Sequence, residues 1–77
     1  MTTTHAYRDF VFTIRYRPDD PAYSVDFPDV PDIITSGDTL PEAFANACEA
    51  FDLHLESLHK LDLPFPTPKH RMVIETI

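Results

Sequence analysis

Between Tyr23 and Asn46 the chain reads YSVDFPDVPDIITSGDTLPEAFAN, and the punctuation of this stretch leaves few folds open. Tyr23, Val25 and Phe27 alternate with Ser24 and Asp26, the period of a half-buried strand. Pro28-Asp29-Val30-Pro31 must then turn. Ile33-Ile34-Thr35 predicts a second short strand, followed by Gly37, the only glycine in the chain. After it, Asp38-Thr39-Leu40-Pro41-Glu42-Ala43 starts a helix on several independent signals. Thr39 and Glu42 have the T-x-x-E spacing of a capping box. Asp38 and Glu42 put negative charge at the positive end of the helix dipole. Pro41 fits a first turn, whose N–H groups have no intrahelical partner.

The flanking segments complete an α+β pattern. Phe10, Phe12, Ile14 and Tyr16 alternate with Val11, Thr13 and Arg15, which predicts a strand. Arg17-Pro18-Asp19-Asp20-Pro21 breaks it and is too short for a parallel crossover, so the pair with the Tyr23 strand is an antiparallel hairpin. Leu40, Phe44, Ala47, Phe51, Leu55 and Leu58 follow a 3.6-residue period and predict a helix from Leu40 to His59. Its apolar stripe needs the sheet face of Phe10, Phe12, Ile14, Tyr23, Val25 and Phe27 as cover. Leu63-Pro64-Phe65-Pro66-Thr67-Pro68 is an extended connector, and Arg71 to Ile77 reads as a further strand, apolar on both faces. The expectation is one small domain over residues 1–77, with a core from about residue 7 and a flexible tail over 1–6. In it an antiparallel sheet carries one long helix on one face.

Seventy-seven residues leave no room for a second module, and so small a core makes self-association, most simply a homodimer, an expectation. One cysteine, Cys48, rules out an intrachain disulfide framework and suits a reducing cytoplasm; a small buried hydrophobe is its expected role. No apolar run approaches the ~20 residues of a membrane span, and the polar start is no signal peptide. A net charge of −7, from thirteen acidic against six basic residues, argues against nucleic-acid binding by this chain and fits either a solvated surface or an acidic face that meets a basic partner.

The order of strand, PDxP turn, strand, Gly-Asp-Thr and helix closely resembles the HicB family. These are antitoxins of bacterial and archaeal toxin–antitoxin pairs, whose usual pattern is Y-x-V-x-F-PD-x-PG, a few residues, then GDT-x-x-EA. The matching residues are Tyr23, Val25, Phe27, Pro28, Asp29, Pro31, Gly37, Asp38, Thr39, Glu42 and Ala43. Asp32 stands where the family has glycine, and Pro41 where it has an acidic residue. The resemblance implies a βββαβ unit, described as a partial ribonuclease-H-like fold. In most members a DNA-binding segment follows, and this chain stops where that segment would begin, as a short member or an N-terminal domain would. The resemblance also implies a partner, a small basic HicA-type ribonuclease whose active site the antitoxin covers. The contact is placed on the acidic segment Asp26, Asp29 and Asp32, all three expected on the surface, and on Asp38 and Glu42 at the helix start.

No catalytic constellation competes with that reading. The same five carboxylates could in type hold a divalent ion. Four of them have a plainer role: Asp26 on an outward strand face, Asp29 in a turn, Asp38 and Glu42 at the helix start. His54 and His59 are five apart, not the i, i+4 spacing of a metal pair, while His5 and His70 fall in a tail and a loop. No cofactor and no metal site are expected. An orphan interaction module without a toxin, and a metal-dependent nuclease, are the remaining readings.

Overall fold

The computed structural model describes residues 1–70, and the strand expected over Arg71 to Ile77 lies outside them. Four strands precede one helix: β1 (Thr2–Tyr7), β2 (Phe10–Arg17), β3 (Ala22–Asp26), β4 (Thr35–Gly37) and α1 (Leu40–Lys60). The strands form one antiparallel meander in the order β1-β2-β3-β4, with α1 on one face. The α+β class and the β2–β3 hairpin are as the sequence predicts.

The flexible tail expected over residues 1–6 is instead β1, paired from Thr2↔Arg15 to Tyr7↔Phe10. Its turn is Arg8-Asp9, with φ of 51° and 71°, the left-handed pair that a two-residue hairpin loop requires. Such turns usually show Asn or Gly, so Arg8-Asp9 gave no warning. The pairing turns Thr3, His5 and Tyr7 to the helix side with Phe10, Phe12 and Ile14. There the His5 ring stacks on Phe12 at 5.3 Å between centroids.

The strand expected at Ile33 to Thr35 is displaced to Thr35–Gly37. Two successive turns consume the chain between: the Val30 N–H donates to the Phe27 carbonyl and the Ile33 N–H to the Val30 carbonyl, both at 3.1 Å. They drop Val30 and Ile33 into the core and leave Ile34 90 % exposed.

The helix begins as predicted, with the Thr39 hydroxyl accepting the Glu42 N–H at 3.2 Å. It ends one residue late, at Lys60, where Asp62 takes a left-handed φ of 53° and its N–H reaches the His59 carbonyl at 3.2 Å. The inward face differs from the predicted stripe. Ala43, Ala47 and Phe51 are fully buried, while Phe44 is 39 % exposed. The cause is Gly37. A Cβ there would lie 2.8 Å from Ala43 Cα and 2.9 Å from the Glu42 carbonyl carbon, so the first turn of α1 lies directly on β4. At that separation only small residues fit between helix and strand, and the sheet supplies the aromatic volume. Phe51 then closes a cluster with Phe10 at 4.9 Å and Phe27 at 5.5 Å.

Candidate functional site

The five carboxylates proposed as one contact surface are distributed over three places. Asp26 stands exposed on the sheet face away from the helix, opposite Thr13. There it shares a shallow depression of about 490 Å³ with Thr2, Arg15 and Ser24.

Asp29 is not free for any partner, contrary to the expectation of a surface carboxylate. Its Oδ2 accepts the backbone N–H groups of Lys69 and His70 at 2.6 and 2.8 Å, and its Oδ1 meets His70 Nδ1 at 2.6 Å. Its side chain is only 4 % exposed. Asp29 is therefore the clamp that ties the proline-rich return of the chain to the Phe27–Val30 turn. Donation from the His70 backbone is the largest of the influences that hold its carboxyl below the usual 3.8, ahead of the Lys69 N–H and the His70 ring. A depressed native pKa means that this anchoring is complete above the ordinary value and lost as pH falls through the native one. We expect amide exchange over residues 61–70, taken relative to its intrinsic rate at each pH, to rise as pH falls below the ordinary 3.8. In Asp29→Asn it should already be fast at neutral pH. Identical exchange in the two proteins would dissociate the clamp from its carboxylate.

Asp32, Asp38 and Glu42 stay exposed, Asp32 in the loop before β4 and the other two at the start of the helix after it. Between the loop before β4 and the flank of α1 runs a groove of about 310 Å³, lined by Asp32, Ile33, Ile34, Ala50, Leu53, His54 and Ser57. Ile34 at 90 % and Leu53 at 54 % exposure make its walls apolar in open solvent. Along α1, Glu42, Glu49, Leu53 and Glu56 recur at seven, four and three residues, one stripe of the helix, of which Leu53 lines the groove. Glu56 is held by Lys60 at 3.3 Å, while Glu42 and Glu49 are exposed. The result is an open groove in which exposed Ile34 and Leu53 stand beside Asp32, His54 and Ser57.

Ile34 and Leu53 are the residues that sequence reasoning missed. A signal was present for each: adjacent isoleucines in a strand cannot both face inward, and Leu53 interrupts the polar side of α1.

Other polar contacts are structural. The Tyr7 hydroxyl donates to Asp52 Oδ2 at 2.8 Å, and Arg8 Nε lies 3.4 Å from Asp52 Oδ1, so the β1–β2 turn is pinned to α1. The Asp52 carboxylate raises the Tyr7 pKa by that hydrogen bond. Cys48 is half-buried rather than fully buried, and desolvation raises its thiol pKa. Among the described residues no group of three or more His, Cys, Asp and Glu side chains could hold a metal ion. Among them, too, no helix is long and apolar enough to cross a membrane.

Comparison with known proteins supplies the context. Residues 10–76 match the family described as HicB_like antitoxin of bacterial toxin-antitoxin system. Antitoxin HicB 2 of Photorhabdus laumondii subsp. laumondii is 32 % identical over 68 residues, 83 % of this chain and 48 % of that protein. An uncharacterised 14.9 kDa protein from the rep-hol intergenic region of Haemophilus phage HP1 is 46 % identical over 44 residues, 57 % of this chain and 33 % of that protein. The chain thus spans half or less of the length of these curated relatives, and no solved structure matches it. The family's span takes in β2, the PDxP turn, the Gly37–Thr39 helix start and the groove between them, and the chain belongs to the HicB-like antitoxin family of bacterial toxin–antitoxin systems.

Proposed function

We propose that the chain neutralises a cognate HicA-type toxin, a small basic ribonuclease, by binding it along the groove beside β4 and covering its active site. The observation that supports this reading is the groove itself: exposed Ile34 and Leu53 stand in it beside Asp32, and Glu49 is exposed on the same helix. Apolar residues left in water at a concave site favour a protein partner. Asp32 and the net charge of −7 favour a basic one and speed its approach. Asp26 and Asp29 drop out of the contact surface, Asp26 because it is on the opposite face of the sheet and Asp29 because it is engaged.

The test is binding and growth rescue with the toxin encoded beside this gene. Ile34→Asp with Leu53→Asp should weaken the complex by a factor of about 30 or more, the effect of losing a central apolar anchor of at least 2 kcal/mol. Both side chains are already exposed, so the thermal melt should stay in place. Asp32→Lys with Glu49→Lys should chiefly slow association and flatten its salt dependence. A folded, abundant protein that neither binds nor silences the neighbouring toxin would put the orphan interaction module in its place.

A further inference from the structure

We infer that Asp29 is a positioning residue for the groove, a role that rests on the toxin reading of that groove. Its clamp on Lys69 and His70 holds the loop-side wall in the shape a toxin meets, without touching the toxin itself. Asp29 lies within the first of the two turns that lead to the groove. The Val30 N–H closes that turn on the Phe27 carbonyl, and the Ile33 N–H closes the next on the Val30 carbonyl. Val30 belongs to both turns, so a shift of the first is carried into the second. Asp32 and Ile33 belong to the second turn and Ile34 follows it, and these three form the loop side of the groove.

The two ends of this wall are fastened differently. Beyond Ile34 the chain enters β4, which is tied to α1 where Asn46 Nδ2 donates to the Ser36 carbonyl at 2.9 Å. At the other end Val30 and Ile33 are buried, but apolar burial is non-directional and does not set the angle at which a turn leaves the core. Hydrogen bonds do set direction. Among the described residues, Asp29 is the only one from Phe27 to Ile34 whose side chain makes hydrogen bonds, and it makes three. They are charge-assisted and almost out of water, so release would leave a buried carboxylate without partners.

A wall that is ordered only part of the time lowers affinity by the fraction of time it is ordered. The coupling is reciprocal: what the clamp does for toxin binding, bound toxin does for the clamp. Residues 61–70 therefore respond to an occupied groove although none of them lines it.

Toxin titration and residue-resolved amide exchange on the full chain test this with two variants and a control. Asp29→Asn removes the charge, and Lys69→Pro deletes a donor 40 residues away from Asp29. Both should speed exchange of the Ile33 amide and shift the methyl signals of Ile34. Both should also weaken toxin binding about tenfold, the loss when the wall is ordered a tenth of the time. Tyr7→Phe, the control, loses the hydrogen bond to Asp52. It should lower the melt yet leave the Ile33 and Ile34 signals and the affinity in place. Toxin added to the wild type should slow exchange over residues 61–70. Variants that release residues 61–70 with Ile33 and Ile34 unchanged overturn the inference. So does a control that moves Ile33 and Ile34 as much as the variants do, since that is a loss of global stability. If Asp29→Asn fails to fold, Lys69→Pro decides alone. A wild type that binds no toxin sinks the proposed function, and the signals of Ile33 and Ile34 in the free protein still decide whether Asp29 holds the wall.

Discussion

Phe51→Asp should leave no folded protein at room temperature, whereas Phe44→Asp should lower the melting temperature only modestly. Phe51 is fully buried between the rings of Phe10 and Phe27, and Tyr7 meets it edge-on at 5.9 Å. Truncating such a phenylalanine costs about 3–5 kcal/mol, and an unpaired carboxylate in its place adds several more. Together they exceed the reserve of a typical small domain, about 5 kcal/mol at the lower end. Phe44 has the same position in the sequence periodicity, yet its ring lies at the rim over His5 and Phe12. A carboxylate at that position can turn to water. Circular dichroism melts of the two variants check the contrast directly, and equal losses would mean that α1 is rotated toward Phe44.

Gly37→Ala should destabilise the domain by about 1–3 kcal/mol, the usual cost of overpacking, and Gly37→Val by more. For a domain of this size each kcal/mol lowers the melt by about 4–8 °C. The added carbon would meet the backbone of Ala43 and Glu42, not a side chain that can swing aside. Relief would require the first turn of α1 to lift from β4, and Ala43 and Ala47 would lose their fit. A melt within a degree or two of wild type would show that α1 does not lie this close.

The sequence by itself determined the elements whose signals are local. Alternation defined β2 and β3, Thr39 and Glu42 marked the helix start, and Pro18 to Pro21 forced the hairpin turn. The PDxP and Gly-Asp-Thr spacing was enough to indicate the family, because turn and cap chemistry depends on neighbours in the chain. What failed were decisions that belong to contacts distant in sequence. β1 forms from a polar, threonine-rich segment because its alternate residues find Phe10, Phe12 and Ile14 across the ladder. The inward face of α1 is set by the close approach at Gly37, a helix–strand distance that periodicity cannot contain. Asp29 looks like an ordinary turn residue until Lys69 and His70 return forty residues later to occupy both its oxygens. The acidic residues were legible as a charge and Asp26 as outward-facing, but how the others are placed once the sheet is paired was not. Pairing register decides which face a side chain takes, and register is a property of the folded sheet.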